Sequence, residues 1–145
     1  MLRRITGFRQ DDEGGWAAEL SCLHGQHIRH KPPFQLAPWV LVEAERDARI
    51  GAPLECPLCD RAELPGDLHE VRTTDTWDNA PLPAGHWALV RVGQGTVRVT
   101  AATSPPLDAV IEPGHPQAIP PEVDHAVEPA AGAQFVVEVL TRPPA

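Results

Sequence analysis

The sequence predicts a mainly β protein with one helix, formed by a small metal-binding module followed by an antiparallel β-barrel or sandwich. Three observations support this fold class. Seventeen prolines and eleven glycines divide the 145 residues into short segments suited to strands and turns. All three cysteines and three of the seven histidines lie before residue 60. Runs of alternating apolar residues after residue 86 predict paired strands.

Two strands and a helix are expected in the first module, which we place at residues 1–62. The segment ITGFRQDDEGGWAAELSC predicts two short strands around an Asp-Asp-Glu-Gly-Gly turn. The segment PWVLVEAERDARIG opens with proline, can pair Glu45 with Arg49 and stops at Gly51. These signals predict a helix over residues 41–50.

The same module contains a candidate zinc site of the zinc-ribbon type. Cys56 and Cys59 have the C-x2-C spacing that lets two thiolates hold one metal ion. Cys22 and His24 lie two residues apart, so an extended segment places them on one face, where they can complete a tetrahedral set. His27 is the alternative to His24, because a bend in the intervening residues can return it to Cys22.

Other interpretations of the cysteines give different chemistry. A thioredoxin-type redox pair has the same spacing but needs a strand-to-helix setting, whereas this pair follows the predicted helix. Free buried cysteines beside solvated histidines are the third alternative. A zinc ion with four protein ligands would be structural, because no position stays open for water. Since about 60 residues bury little apolar surface, a metal ion is expected to stabilise this module.

A resemblance covers nearly the whole module. WAAELSCLHGQHIRHKPPF, APWVLVEAERDARIG and LECPLCDR resemble a bacterial domain family of unknown function with the pattern C-G-H-x-Q-H-x-R-H-x-P-P followed by C-x2-C. Leu23 stands where that family has glycine. If this glycine takes positive φ, Leu23 is strained there.

Basic residues are concentrated directly after the candidate ligands. His27, Arg29, His30 and Lys31 follow one another within five positions. They suggest an anion site for a phosphate or an acidic partner. The alternative is a solvated strand face whose histidines make local hydrogen bonds.

Three hairpins are predicted in the second module, residues 63–145. Their sequences are WALVRVGQGTVRVT, DAVIEPGHPQAI and AVEPAAGAQFVVEVL, each with two strand-like runs around a glycine-containing turn. No helix pattern interrupts them. This arrangement predicts an antiparallel sandwich or small barrel.

The second module resembles cupins. AIPPEVDHAVEP resembles the cupin motif P-x-G-x-x-H through Pro120 and His125, with Glu122 where the motif has glycine. Together with VRTTDTWDNAPLPAG and VRVGQGTVRV, residues 65–141 resemble the TehB/YeaR-like cupin family, which is associated with tellurite resistance and nitrate response. The family's H-x-T-K-x-G-x-W stretch is compressed here, leaving His86 and Trp87.

The cupin resemblance implies a pocket built from inward-facing side chains. His86 and His125 are its candidate ligands, with His69 and Glu138 as further donors and Trp87 as a wall. So few histidines bind a divalent ion weakly, and a second metal is not expected. The alternatives are a buried His125 bonded to a backbone carbonyl and a Trp87 that belongs to the core.

The distribution of charged and apolar residues along the sequence limits which kinds of partner and which location we expect for the protein. Residues 1–62 carry eight basic and nine acidic side chains and residues 63–145 carry four and eleven, so nucleic acid is not an expected partner. Apolar runs of four or five residues are too short to cross a membrane, and no apolar leader follows the N-terminal arginines. We therefore expect a cytoplasmic protein, and exposed strand edges offer a surface through which two copies could pair as a homodimer.

These features predict a two-module metal-binding protein with structural zinc in the first module and a cupin that binds a small molecule or anion. A role in oxyanion or metal stress is implied by the resemblance alone. One alternative is a metal-dependent cupin enzyme of the dioxygenase or isomerase type. The other is a zinc-ribbon-like nucleic-acid or protein adaptor that uses Arg29 and Lys31. Catalysis has little positive support, because no phosphate loop, nucleotide fingerprint or triad context is found.

Overall fold

The computed structural model describes residues 1–144 and has 44% strand and 9% helix, which confirms the mainly β prediction. Contacts within the chain group it into two compact units. The first unit is Leu2–Cys56, and the second starts at Pro57 and includes Met1. The division falls inside the Cys56-Pro-Leu-Cys59 motif. Within the described residues, no helix is long and apolar enough to cross a membrane.

The first unit is a four-stranded antiparallel sheet. Its strand order is β3-β2-β1-β4, with β1 at Leu2–Gln10, β2 at Trp16–Leu20, β3 at Gly25–Ile28 and β4 at Pro53–Glu55. The predicted pair of strands around the acidic turn is confirmed as β1 and β2. Oδ1 of Asp11 closes that turn by accepting hydrogen bonds from the backbone N–H groups of Glu13 at 2.9 Å and Gly15 at 2.7 Å.

The register of this sheet brings distant parts of the chain to one end. Ile5 pairs with Leu20, and Leu2 pairs with Glu55. The start of β1, the end of β2 and the end of β4 therefore lie together, because neighbouring strands run in opposite directions. The residues that follow β2 and β4 must emerge at this shared end.

The predicted helix over residues 41–50 is shorter than expected. A 3-10 helix covers Pro38–Leu41, and α1 covers only Glu43–Asp47. No residue of α1 is buried, so tertiary packing gives a longer helix no support. The guanidinium carbon of Arg49 lies 3.8 Å from the ring centroid of Trp39, and within residues 1–144 the predicted pair of Glu45 with Arg49 does not form.

The second unit begins with a one-turn helix that the sequence did not predict, α2 at Pro57–Asp60. Seven strands follow in two antiparallel sheets. They are β5 at His69–Thr74, β6 at Trp87–Gln94, β7 at Val97–Ala101, β8 at Leu107–Ile111, β9 at Gln117–Ile119, β10 at His125–Pro129 and β11 at Gln134–Thr141. One sheet has the order β5-β11-β6-β9 and the other β10-β7-β8.

The three predicted hairpins are wrong in their pairing, although the strands form where expected. β6 pairs with β11 and β9, whereas β7 pairs with β10 and β8. Likewise β8 and β9 lie in different sheets, and so do β10 and β11. Each glycine-containing connection therefore crosses from one sheet to the other. Alternating residues specify which face of a strand is buried but not which strand lies beside it.

One apolar core holds the two sheets together as a sandwich. Val90 and Val137 come from the four-stranded sheet, while Val99 and Val127 come from the three-stranded sheet. All four side chains are buried in the same cluster. The second unit is therefore an antiparallel sandwich, as predicted, and its core lies between the facing sides of the two sheets.

Candidate metal centre

The four predicted ligands come together at the shared end of the first sheet. Cys22 and His24 lie in the turn between β2 and β3, Cys56 follows β4 directly, and Cys59 lies in α2. One ligand atom from each residue lies within 4.8 Å of the others, and all four residues are buried. These residues form a tetrad that could bind a metal ion.

Distances within the tetrad fit a tetrahedral site. The Sγ atoms of Cys22 and Cys56 are 3.8 Å apart. Nδ1 of His24 lies 3.4 Å from each of these two sulfurs. Ligands about 2.3 Å (sulfur) and about 2.0 Å (nitrogen) from a tetrahedral zinc ion are separated by roughly 3.8 Å for two sulfurs and roughly 3.5 Å for sulfur and nitrogen. The observed separations match these values.

The two thiols also determine the charge of His24. Burial lowers the pKa of this imidazole, but hydrogen bonds and electrostatic attraction from Cys22 and Cys56 outweigh burial and raise it to about 9. With its pKa raised in this way, the imidazole is held in its protonated form at neutral pH when no metal is bound. A metal ion would displace that proton, because it needs the same lone pair.

His27, the alternative ligand, lies outside the tetrad. It is exposed on β3, and its Nδ1 is 3.6 Å from Oδ2 of Asp11. The strand register explains the choice, since β3 begins at Gly25 and carries His27 away along the sheet. His24 is therefore the histidine that geometry places with the cysteines.

The local setting of the C-x2-C pair also differs from the prediction. Strand β4 lies between α1 and Cys56, and helix α2 begins directly after Cys56, so the pair lies in a strand-to-helix setting rather than directly after the predicted helix. A strand-to-helix setting alone also suits redox cysteines. The third thiol and the imidazole at ligand distance distinguish this site from a simple cysteine pair.

Leu23, which lies between the first two ligands, has the positive φ expected at a position where the resembling family has glycine. Its φ is +75°, in the left-handed region that glycine occupies without steric cost. The backbone N–H of Leu23 donates to the carbonyl of Leu20 at 2.9 Å, which keeps the turn tight. The turn that presents Cys22 and His24 therefore carries local strain.

Replacing Leu23 with glycine should relieve that strain. We expect Leu23→Gly to stabilise the metal-loaded protein by up to about 1 kcal/mol, because the left-handed penalty of ~1–2 kcal/mol is partly offset by glycine's unfolded-state entropy. Urea denaturation with saturating zinc measures the change. A variant Leu23→Ala keeps the Cβ atom and should show no such gain. A large loss of stability in Leu23→Gly would contradict the assignment of strain.

His125 of the second unit has protein partners at both ring nitrogens. Trp77 Nε1–H donates to His125 Nε2 at 2.9 Å, and His125 Nδ1 lies 3.0 Å from the carbonyl oxygen of Val123. This pattern corresponds to a neutral imidazole with its proton on Nδ1. Sequence reasoning missed Trp77 as the partner, because 48 residues separate it from His125 and no local signal links them.

The remaining cupin candidates are dispersed. Nδ1 of His86 lies 3.1 Å from the carbonyl oxygen of Ala84, and His69 Nδ1 lies 2.9 Å from that of Thr141. Glu138 accepts a hydrogen bond from Arg91 Nε at 2.7 Å.

Trp87 is fully buried and directly precedes Ala88, a residue of the core between the two sheets. Because side chains alternate along a strand, Trp87 points to the face of the sheet opposite that core. Across residues 1–144, only the cysteine–histidine tetrad brings three or more metal-ligating groups together.

Comparisons with known proteins match different parts of the chain. No curated protein matches the sequence. Ten solved chains are similar to it, among them the crystal structure of a protein from E. coli (strain K12) determined by the Northeast Structural Genomics Consortium. That structure has a TM-score of 0.46 and 22% identity, and the match covers 57% of this chain and 98% of the other. Residues 6–63, a range containing all four ligands, match the model of a family described as "Protein of unknown function (DUF3565)".

Proposed function

We propose that the tetrad holds one structural zinc ion and that this ion maintains the N-terminal module in its folded form. The observation that carries the proposal is the separation of Cys22, His24 and Cys56 at tetrahedral ligand distances. Thiolates are soft donors and imidazole is a borderline one, and this combination favours zinc over magnesium, calcium or manganese. A closed set of four protein ligands suits a structural role.

The size of the module explains why a metal ion would be needed. Three of its buried residues are alanines, Ala17, Ala18 and Ala37, and its large buried apolar side chains are those of Ile5, Leu20 and Val40. A core of this kind supplies limited stabilisation in a unit of about 55 residues. Because thiolate ligands must stay reduced, the proposal places the protein in a reducing compartment such as the cytoplasm.

For the second unit we propose a cupin-like domain that binds a small molecule. Its antiparallel two-sheet sandwich supports this assignment, and so does Glu122, whose φ of +56° matches the glycine of the cupin motif. The contacts of His125 with Trp77 and Val123 favour binding over metal-dependent catalysis at this position. A role in oxyanion or metal stress is proposed from family resemblance alone.

Metal analysis combined with X-ray absorption tests the zinc assignment. We expect one zinc ion per chain in protein purified without chelators, with three sulfur ligands at about 2.3 Å and one nitrogen at about 2.0 Å. Zinc surrounded mainly by oxygen, or an iron–sulfur cluster, would contradict the proposal. A second metal ion that disappears in His125→Ala would instead support the enzyme alternative for the second unit.

A further inference from the structure

A cavity of about 250 Å³ lies at the end of the first sheet opposite the metal centre. The beginning of β2 and the end of β3 form part of its lining, whereas the tetrad follows the end of β2 and precedes β3. None of the four candidate metal ligands lines the cavity. The cavity is lined on its apolar side by Trp16, Ile28, Val40 and Leu41.

One arginine holds the apolar walls in place. The guanidinium carbon of Arg46 lies 3.7 Å from the ring centroid of Trp16, a cation–π contact. Nη1 of the same guanidinium donates to the carbonyl oxygen of Val40 at 2.7 Å. Because Arg46 connects both walls, the cavity is formed before any ligand enters, which reduces the entropic cost of binding.

The opposite side of the cavity offers cationic and neutral hydrogen-bond donors. Arg29 and Lys31 line it, are exposed, and make no side-chain ion pair with any residue in the described range 1–144. Nδ1 of His30 accepts a hydrogen bond from the backbone N–H of Ala37 at 3.0 Å. The neutral ring therefore carries its proton on Nε2, which makes His30 a further donor.

The cavity lining also contains two acidic residues, Asp11 and Glu13, and the Asp11 carboxylate attracts both His27 and Arg29. Oδ1 of Asp11 already accepts two backbone hydrogen bonds, and its Oδ2 faces His27 at 3.6 Å. The Gly15 hydrogen bond is the main reason that the pKa of Asp11 lies below its usual value. Asp11 is thus committed to the turn between β1 and β2, and Glu13 is the remaining acidic side chain at the rim.

From this arrangement we infer that the cavity binds a small organic anion, with a phosphate or carboxylate group beside Arg29 and Lys31 and an apolar ring or chain against Trp16 and Val40. Arg29 can contact two oxygens of such a group in bidentate fashion, and Lys31 adds a second positive charge. Preformed pockets of this kind combine apolar walls with a few polar groups that orient the ligand. The inference does not rest on the identity of the metal ion.

Titration of the full, metal-loaded chain with phenyl phosphate tests the inference, using amide and indole NMR signals as the readout. We expect chemical-shift changes at Trp16, Ile28 and Val40, and weaker binding of inorganic phosphate, which lacks the apolar part. The double variant Arg29→Ala/Lys31→Ala should weaken phenyl phosphate binding at least about tenfold, equivalent to ~1.4 kcal/mol. Phenol, which carries no anionic group at neutral pH, should bind far more weakly than phenyl phosphate.

Arg9→Ala is the matched control, since it removes an arginine from the same module outside the cavity lining. This variant should bind phenyl phosphate like the unmodified protein. Equal loss of binding in Arg9→Ala would show unspecific charge attraction and overturn the inference. Absence of shift changes at the cavity, or undiminished binding by the double variant, would also overturn it. Zinc content measured on the same samples distinguishes these outcomes from failure of the metal assignment.

Discussion

Replacement of Cys56 by serine is expected to abolish stable metal binding and to unfold the N-terminal module. Cys56 Sγ lies 3.8 Å from Cys22 Sγ and 3.4 Å from His24 Nδ1, so its loss removes a central ligand of the tetrad. Structural zinc contributes on the order of 10 kcal/mol or more to folding in small metal-binding modules. We therefore expect zinc affinity to fall by more than about 100-fold and amide signals of residues 2–55 to collapse.

The measurement pairs a zinc competition assay with two-dimensional NMR. His27→Ala is the matched control, because it deletes a nearby imidazole that lies outside the tetrad. This control should retain one zinc ion and a folded spectrum. Retention of zinc by Cys56→Ser, together with its loss from His27→Ala, would show that the ligand set is different.

The substitution Val99→Ala, which removes two methyl groups, is expected to lower the free energy of unfolding of the second unit by about 2–3 kcal/mol. Val99 is fully buried and belongs to the core between the two sheets. Val110 lies on the neighbouring strand β8 and is 67% exposed, so the same chemical change there should cost less than about 0.5 kcal/mol.

Urea unfolding followed through NMR signals of the sandwich compares Val99→Ala with Val110→Ala. Both variants lose the same atoms, which leaves burial as the difference between them. Similar destabilisation by the two changes would contradict the arrangement in which two sheets enclose one core.

The ligands could be recognised from sequence because metal coordination depends on residue type and close spacing. Cys22 with His24 and Cys56 with Cys59 are local pairs, each short enough to face one ion from a single turn. The spacing of residues near Cys22 does not decide whether His24 or His27 is the fourth ligand. That choice depends on where β3 begins, and that is determined by pairing with β2.

Strand positions were also predictable, since alternation and glycine-containing turns are properties of short segments. Which strands pair with each other could not be predicted in the same way. The connection between β6 and β7 was interpreted as a hairpin, but β6 gains more buried pairing from β11, which lies 40 residues further along the chain. Such pairings compete through packing of the whole core, which no short window of sequence contains.

Three properties of this protein can be recognised from short stretches of sequence: the residues able to hold a metal ion, the mainly β composition and the buried faces of the strands. The three-dimensional structure was needed to show that His24 rather than His27 joins the three cysteines, that adjacent strands separate into two sheets and that Trp77 contacts His125. The reason is the distance along the chain over which each kind of interaction acts. Spacing and periodicity act over a few residues, whereas sheet register and core packing select among contacts between residues far apart in the chain.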